Sequence, residues 1–437
     1  MAFYLHGVHT PHRKHTAGRE AERMSPPASV TIPTSMHIGK PARPVVKVGD
    51  EVKVGTLLAE QDGFISSPVY SSVSGKVTKI ADLLLAGGNR CPAITVTSDG
   101  KMTPDENLQP PTVDSKESLV EAIRKSGIVG LGGAGFPTYV KFNVDPDKVD
   151  YLIVNGAECE PYITSDSYTM EHRTEDISVA LEALEKHLTI KQVIFGIENN
   201  KKAAIESIRA LSAKDPAVSV KVLPPVYPQG GEKVLVYHTT GRQIPTGKLP
   251  LDVGCIVCNC TTLAAIGHYL RTGMPLVEKC VTVDGGAVAE PKNVIVPIGA
   301  SAKEVFDFCG GLREVPQKLL YGGPMMGITM ATEESPILKN TNAILALTAK
   351  EARIPRTTAC IRCGSCTNTC PFGLNPASIG RAYAKGDVEA LEKLGTNLCM
   401  ECGCCSFVCP ANRPLVQQNK LSKGLIREAK AKEASKQ

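Results

Sequence analysis

The chain has 437 residues, 42% of them hydrophobic, with sixteen cysteines and a formal net charge of +5. That length leaves room for about three domains with buried cores, and so modest a charge gives no ground for nucleic-acid binding. No stretch approaches the ~20 apolar residues that cross a bilayer, the first fifteen residues lack the apolar centre of a secretory signal, and so many cysteines fit a reducing compartment.

Residues 1–29 read as an extended N-terminal arm. In it His6, His9, His12 and His15 recur every third residue, a series that could serve a metal. Pro11 breaks the helix that would align them, so a structural arm is the better reading. From 30 to 98, short apolar–polar alternations are separated by turns at Gly49-Asp50 and Ser74-Gly75, which predicts strands. The two corners resemble those of a biotinyl/lipoyl-type barrel-sandwich hybrid, whose hairpin tip carries a cofactor-accepting lysine. Here the tip is Gln61-Asp62-Gly63-Phe64, without lysine. The module is therefore expected to pack or dock, not to swing.

Residues 99–115 are polar and contain proline, as a linker does. An α/β region follows over 116–275. Asp114 is placed to cap its first helix, with Leu119, Val120 and Ile123 as the apolar stripe. Tyr151–Val154, Val193–Ile197 and Cys255–Val257 are apolar runs expected as buried parallel strands separated by helices, a Rossmann-like pattern. Before the first strand lies Gly130-Leu131-Gly132-Gly133-Ala134-Gly135-Phe136-Pro137-Thr138, with Lys141 just beyond. Four glycines in six positions permit close approach and positive φ, so amides can converge on phosphate oxygens; Lys141 can add charge. Loops of this composition are as often only loops. Asn155 and Asn259 each end an apolar run, at the strand ends where open α/β sheets bind ligands, although strand-end capping is the alternative. Cys255, Cys258 and Cys260 invite a third metal cluster, but inside an apolar strand cysteine more often acts as a small buried hydrophobe. The isolated Cys91, Cys280 and Cys309 have the same reading.

Residues 276–340 return to short strands with Gly and Pro turns and a short helix near Lys303–Phe308, resembling the β-grasp SLBB module. The last region, 341–415, carries Cys360, Cys363, Cys366 and Cys370-Pro371, then Cys399, Cys402, Cys405 and Cys409-Pro410. Each run has the spacing by which bacterial ferredoxins hold iron–sulfur cubanes, the fourth cysteine ligating the other cluster. The expected sets are Cys360, Cys363, Cys366 with Cys409, and Cys399, Cys402, Cys405 with Cys370. Zinc knuckles would need only ligand pairs, and a disulfide scaffold would not require an eight-thiol double repeat. Cys404 breaks the period and reads as spare. A basic tail, 416–437, is either a helix against anionic lipid or an acidic partner, or a solvated terminus.

The run from Gly130 to Phe142, followed by Tyr151–Pro161, closely resembles the flavin-binding subunit of respiratory complex I. With the N-terminal sandwich, the Tyr321–Gly327 segment and the terminal double-cubane, ferredoxin-like helical domain, the whole chain resembles the C subunit of the Rnf complex. That membrane assembly exchanges electrons between ferredoxin and NAD while moving sodium ions or protons. The resemblance implies FMN, NAD(H) and two [4Fe–4S] clusters as cofactors. It implies a place on the cytoplasmic face of the bacterial membrane, beside an iron–sulfur B subunit and integral membrane subunits, with ferredoxin as an indirect partner.

It also implies site residues. Gly130, Gly132, Gly133, Ala134 and Gly135 would lie against flavin and nucleotide, Phe136 would stack on NADH, and Lys141 would touch flavin polar atoms. Asn155 and Glu158 would hydrogen-bond FMN and Glu160 would face the dinucleotide. Tyr227, Gly230 and Glu232 match a flavin-pocket element, and Asn259 and Thr262 match a flavin-contacting strand end. Leu131 stands where the complex I relative has arginine, Gly231 replaces its first glutamate, and Cys159 replaces a glycine. Hydride exchange at FMN, with single electrons carried by the clusters, is the expected chemistry. Two alternatives stand beside it: a cobalamin reductase of the microcompartment type, whose relatives place the sandwich towards the C-terminus, and a non-catalytic electron-wire subunit, to which Leu131 and Gly231 would point.

Overall fold

The computed structural model describes residues 6–435. Strands Ser29–Pro33, Arg90–Ser98, Gly75–Leu84 and Glu51–Val52 form one sheet in that order, and Arg43–Pro44, Leu57–Glu60 and Val69–Tyr70 form a second. The alternation seen in sequence turns Val30, Ile32, Leu58, Val69, Val77, Ile94 and Val96 inward, and this interior is continuous with the core of the next domain. The lysine-free tip docks there: Gln61 Nε2 donates to the Tyr139 hydroxyl at 2.8 Å, and that hydroxyl donates to the Phe64 carbonyl.

The α/β domain opens with helix Lys116–Lys125. Ser115, not Asp114, caps it: the Ser115 side chain accepts from the Ser118 amide, and Ser118 returns a bond to the Ser115 amide. Asp114 instead accepts from the Ser118 hydroxyl at 3.0 Å. The parallel sheet runs Val218–Leu223, Gln192–Glu198, Tyr151–Gly156, Cys255–Asn259. Its fourth strand, Val218–Leu223, was not expected; as an edge strand it exposes Lys221 and Val222 and lacks an apolar run.

The third sheet contains Glu22–Arg23, Lys292–Pro297, Glu278–Asp284, Ala343–Leu347, Lys318–Tyr321 and Ile328–Thr329, in that order. Helix Ala302–Phe308 packs on it, capped by the reciprocal Ser301–Glu304 pair. Ala343–Leu347 lies beyond the boundary set at 340. Its five residues are all buried, and a short apolar run carries no sign of which sheet it joins. The last domain is helical: Pro376–Lys385, Val388–Lys393 and Leu415–Ala434, with two one-turn helices. The expected separate tail is part of that final helix, whose Leu415, Asn419, Ser422 and Ile426 form a buried helical face. Lys436 lies outside the described residues. Among the described residues no helix is long and apolar enough to cross a membrane.

The N-terminal arm crosses three of these units. The Gly7 carbonyl accepts from Thr369 of the helical domain, Val8 exchanges backbone bonds with Tyr227, and Glu22–Arg23 joins the third sheet.

Candidate functional site

The glycine-rich segment lies over the carboxyl ends of two adjacent parallel strands, where Asn155 and Asn259 are register partners. Its turn is closed by the Gly130 amide donating to the Phe136 carbonyl at 2.8 Å. The Leu131 amide donates to Thr262 Oγ1 at 2.9 Å, and the Leu131 side chain is buried beneath the loop. A Cβ on Gly132 would stand 2.4 Å from Asn259 Nδ2, so only glycine allows this approach; at Gly133 it would meet nothing within 4 Å. Gly132, Gly133 and Ala134 are exposed and Phe136 is half-buried. Gly135 takes φ +70°.

Around this loop the polar residues already have protein partners. Lys141 Nζ donates to the Val257 carbonyl at 3.1 Å and lies 3.7 Å from Glu232. Asn155 Nδ2 donates to the Gly230 carbonyl at 3.0 Å. Asn259 caps helix Cys260–Thr272, accepting from the Thr261 and Thr262 amides, and its Nδ2 donates to Asp166 at 2.8 Å. Glu158 is buried and accepts from the Asp166 amide and the Ser167 hydroxyl, each at 2.8 Å. Glu160 reaches the loop after Tyr321, accepting from the Met325 and Met326 amides at 3.0 and 2.8 Å. Burial pushes the Glu160 carboxyl up to about 7 despite those two bonds.

Residues with no sequence signal complete this framework. Lys14 of the arm buries its ammonium against the Glu158 carbonyl at 2.8 Å, the Glu160 carbonyl at 3.0 Å and the Ile163 carbonyl. Burial lowers its pKa, because an ammonium stripped of water needs its acceptors supplied by the chain. Asp166 accepts from both Asn259 and Thr261. Lys279 donates to the Leu131 carbonyl, and burial brings it down to about 8. None of these stands in a spacing that marks it; their partners are set by tertiary packing.

Tyr227 reaches the second cysteine loop. It is buried, and its hydroxyl donates to the Cys402 carbonyl at 2.7 Å. A Cβ on Gly231 would come within 2.3 Å of the Met400 side chain, and one on Gly403 within 3.0 Å of the Met325 carbonyl. The 227–231 turn and the 399–405 cysteine loop are therefore packed face to face.

The eight motif cysteines surround two cavities. Cys370, Cys399, Cys402 and Cys405 line one of about 330 Å³, its open side included. Cys360, Cys363, Cys366 and Cys409 line the other, about 1080 Å³ including its open mouth. Each set takes one cysteine from the opposite motif. Among the described residues no group of three or more His, Cys, Asp or Glu is gathered tightly enough for a single metal ion. Cys404 lies beside the first set, its thiol 3.8 Å from the Tyr227 carbonyl. Cys255, Cys258 and Cys260 are buried, and burial pushes Cys258 up to about 12. The arm histidines do not converge: His15 Nδ1 is 2.9 Å from Asp284 and His6 Nδ1 is 2.9 Å from the Asn368 carbonyl.

Four family models match in this order: the RnfC barrel sandwich hybrid domain over residues 3–101, the Nuo51 FMN-binding domain over 123–268, the SLBB domain over 280–329 and the 4Fe-4S dicluster domain over 354–430. The C subunit of the proton-translocating ferredoxin:NAD(+) oxidoreductase complex of Clostridium ljungdahlii is 43% identical over 85% of this chain and 82% of its own. The chain belongs to the family of Rnf C subunits. The C subunit of the Na(+)-translocating ferredoxin:NAD(+) oxidoreductase complex of Acetobacterium woodii is 40% identical over 85% of both chains. The C subunit of the ion-translocating oxidoreductase complex of Rhodobacter capsulatus is 41% identical over 98% of this chain and 83% of its own. In this Rnf protein the sandwich module stands first, and the FMN-binding model spans the glycine loop, Asn155, Tyr227 and Asn259.

Proposed function

We propose that this chain is the peripheral, cytoplasmic-face subunit of a membrane-bound, ion-translocating ferredoxin:NAD oxidoreductase, binding NAD(H) and FMN in its α/β domain and two [4Fe–4S] clusters in its helical domain. Its partners are the other subunits of that complex, including an iron–sulfur B subunit and integral membrane subunits. The observation that carries the reading is the pair of cysteine-lined cavities, one of them packed against the turn that holds Tyr227 and Gly230.

When bound, FMN exchanges hydride with NAD(H) and the clusters carry electrons one at a time. The chain's own residues do the holding. Gly130, Gly132, Gly133, Ala134 and Gly135 offer backbone amides over two strand ends, with Phe136 as a half-buried ring at the loop's edge. Lys141 places a cation near Glu232 beside the same strand ends. Asn155 and Asn259 hold the 230 turn and the helix start. Asn259 and Thr262 serve flavin by fixing the glycine loop above them. Glu158 and Lys14 set the course of the chain between strand and helix. Glu160 acts on the dinucleotide through the Met325–Met326 amides it holds.

Two observations favour the wire reading instead: Leu131, which stands where the complex I relative has arginine, is buried, and the Glu160 carboxylate is engaged by the chain. Anaerobically purified protein decides between them. The proposal expects one flavin and about eight irons per chain, with flavin absorbance bleached by NADH and that bleaching weakened in Glu160→Ala while FMN stays bound. Zinc in place of iron, or no flavin, overturns it; flavin that NADH does not bleach leaves the wire.

A further inference from the structure

Four carbonyls of the glycine-rich segment accept hydrogen bonds from outside the α/β domain. The Gly127 carbonyl accepts from Lys339 Nζ at 2.7 Å and the Leu131 carbonyl from Lys279 Nζ. The Gly133 carbonyl accepts from Asn340 Nδ2 at 3.1 Å and the Gly135 carbonyl from the Ile38 amide at 3.0 Å. Lys279 lies in strand Glu278–Asp284 of the third sheet, and Lys339 and Asn340 stand just before its strand Ala343–Leu347. Ile38 follows the first strand of the sandwich.

The contact is close. A Cβ on Gly135 would stand 3.2 Å from the Met36 carbonyl oxygen and 3.6 Å from Asn340 Nδ2. Lys339 is buried, and its ammonium also reaches the Pro68 carbonyl at 2.6 Å and Ser67 Oγ at 3.2 Å. One cation thus ties the sandwich, the α/β domain and the third-sheet domain together, its water replaced by three oxygens of the chain. A peptide unit is planar and trans, so the carbonyl of one residue and the amide of the next point in opposite directions. Holding the Leu131, Gly133 and Gly135 carbonyls therefore aims the Gly132, Ala134 and Phe136 amides away from the modules that hold them. A loop so rich in glycine has little stiffness of its own, and an anion site made of amides needs them fixed beforehand.

We propose that Lys279, Lys339 and Asn340 are positioning residues for phosphate binding. Together with the Ile38 amide they clamp the glycine loop by its carbonyls, so that its amides stand ready for a phosphate or pyrophosphate group, of FMN or of the dinucleotide. This rests on the reading that the loop binds those two ligands. It adds that the loop's geometry is set by the sandwich and the third-sheet domain, which gives both modules a part in the site without touching the ligand. Among the three, Asn340 is half-buried and makes its bond from the edge of the loop, so it can be changed with the least damage to the core.

The test uses the full chain with its iron in place, FMN-depleted for flavin probes and FMN-loaded for nucleotide probes. Each phosphate-bearing probe is titrated beside its phosphate-free counterpart: FMN against riboflavin, ADP-ribose against adenosine. Asn340→Ala is expected to raise Kd about tenfold for FMN, for ADP-ribose or for both, with riboflavin, adenosine and iron content unchanged. A loss confined to FMN assigns the loop to the flavin phosphate, and one confined to ADP-ribose assigns it to the pyrophosphate. Asn340→Gln, which keeps an amide donor, is expected to restore part of the affinity, and Asn340→Asp, similar in shape but without the donor, none. Lys303→Ala, which breaks an exposed pair elsewhere on the third-sheet domain, is expected to do nothing. Unchanged Kd for both phosphate-bearing probes overturns the clamp, and so does an equal loss for the phosphate-free ones. An unsubstituted chain that binds neither FMN nor ADP-ribose instead removes the reading beneath it, so the two failures are distinguishable.

Discussion

The two cysteine loops are repeats in backbone and opposites in surroundings. Arg362 and Glu401 occupy the same place between cysteines, at φ +57° and +61°, and Gly364 and Gly403 follow at +79° and +83°. One loop is enclosed: Cys402 and Cys405 are buried, Met400 packs on Gly231, and Tyr227 bonds the Cys402 carbonyl. The other leaves Cys360 and Cys363 at the surface; the arm meets it only beyond the cysteines, through His6 at the Asn368 carbonyl and Gly7 at Thr369. Even the repeated charge position divides them, since Glu401 is paired with Lys423 at 2.8 Å and Arg362 has no ion-pair partner among the described residues. Spacing sets which thiols gather; what packs against each loop sets what can reach it.

The largest expected effect comes from removing one ligand from each loop. Cys402→Ser and Cys363→Ser should each lower iron from about eight to about four atoms per chain. Only Cys402→Ser should also lower FMN retention, because its loop supports the 227–231 turn. Equal flavin content in the two variants would break the asymmetry. Next is Lys14→Met, which leaves three buried carbonyls without their donor, a cost on the order of 3–5 kcal/mol. FMN affinity and melting temperature should both fall, and an unchanged melting curve would show that the arm does not hold this loop.

Smaller is the pH effect at Glu160. Its folded pKa is raised from 4.5 to about 7, so the folded state holds a proton that the unfolded chain has released. Its contribution therefore weakens as pH rises from about 4.5 to about 7 and is flat above. Relative to Glu160→Gln, the parent's melting temperature should drop by a few degrees between about pH 5 and about pH 8. A constant difference across that range would contradict the burial of this carboxyl.

What was legible in the sequence was whatever repeats locally. The cysteine spacing, the glycine loop between helix and strand, and the apolar strands Tyr151–Gly156 and Gln192–Glu198 each carry their pattern within a few residues. Ala343–Leu347 fell on the cluster-domain side of the boundary at 340, because membership of a sheet depends on distant partners such as Thr282–Asp284 and Lys318–Tyr321. The final helix looked like a basic tail because Lys420, Lys430 and Lys432 mask the narrow stripe through Leu415 and Ile426. Lys14 was hidden for a further reason: its acceptors are backbone carbonyls about 150 positions away, and carbonyls leave no mark in a sequence. The partners of Glu160 are equally unmarked: its carboxyl accepts from the Met325 and Met326 amides, about 165 positions away.

Iron release from the intact protein to an anaerobic chelator, followed in time, tests the division most directly. Two phases of about equal amplitude are expected, the fast one absent in Cys363→Ser and the slow one absent in Cys402→Ser. A single phase, or a fast phase that disappears with Cys402, would contradict an enclosed inner site and an open outer one.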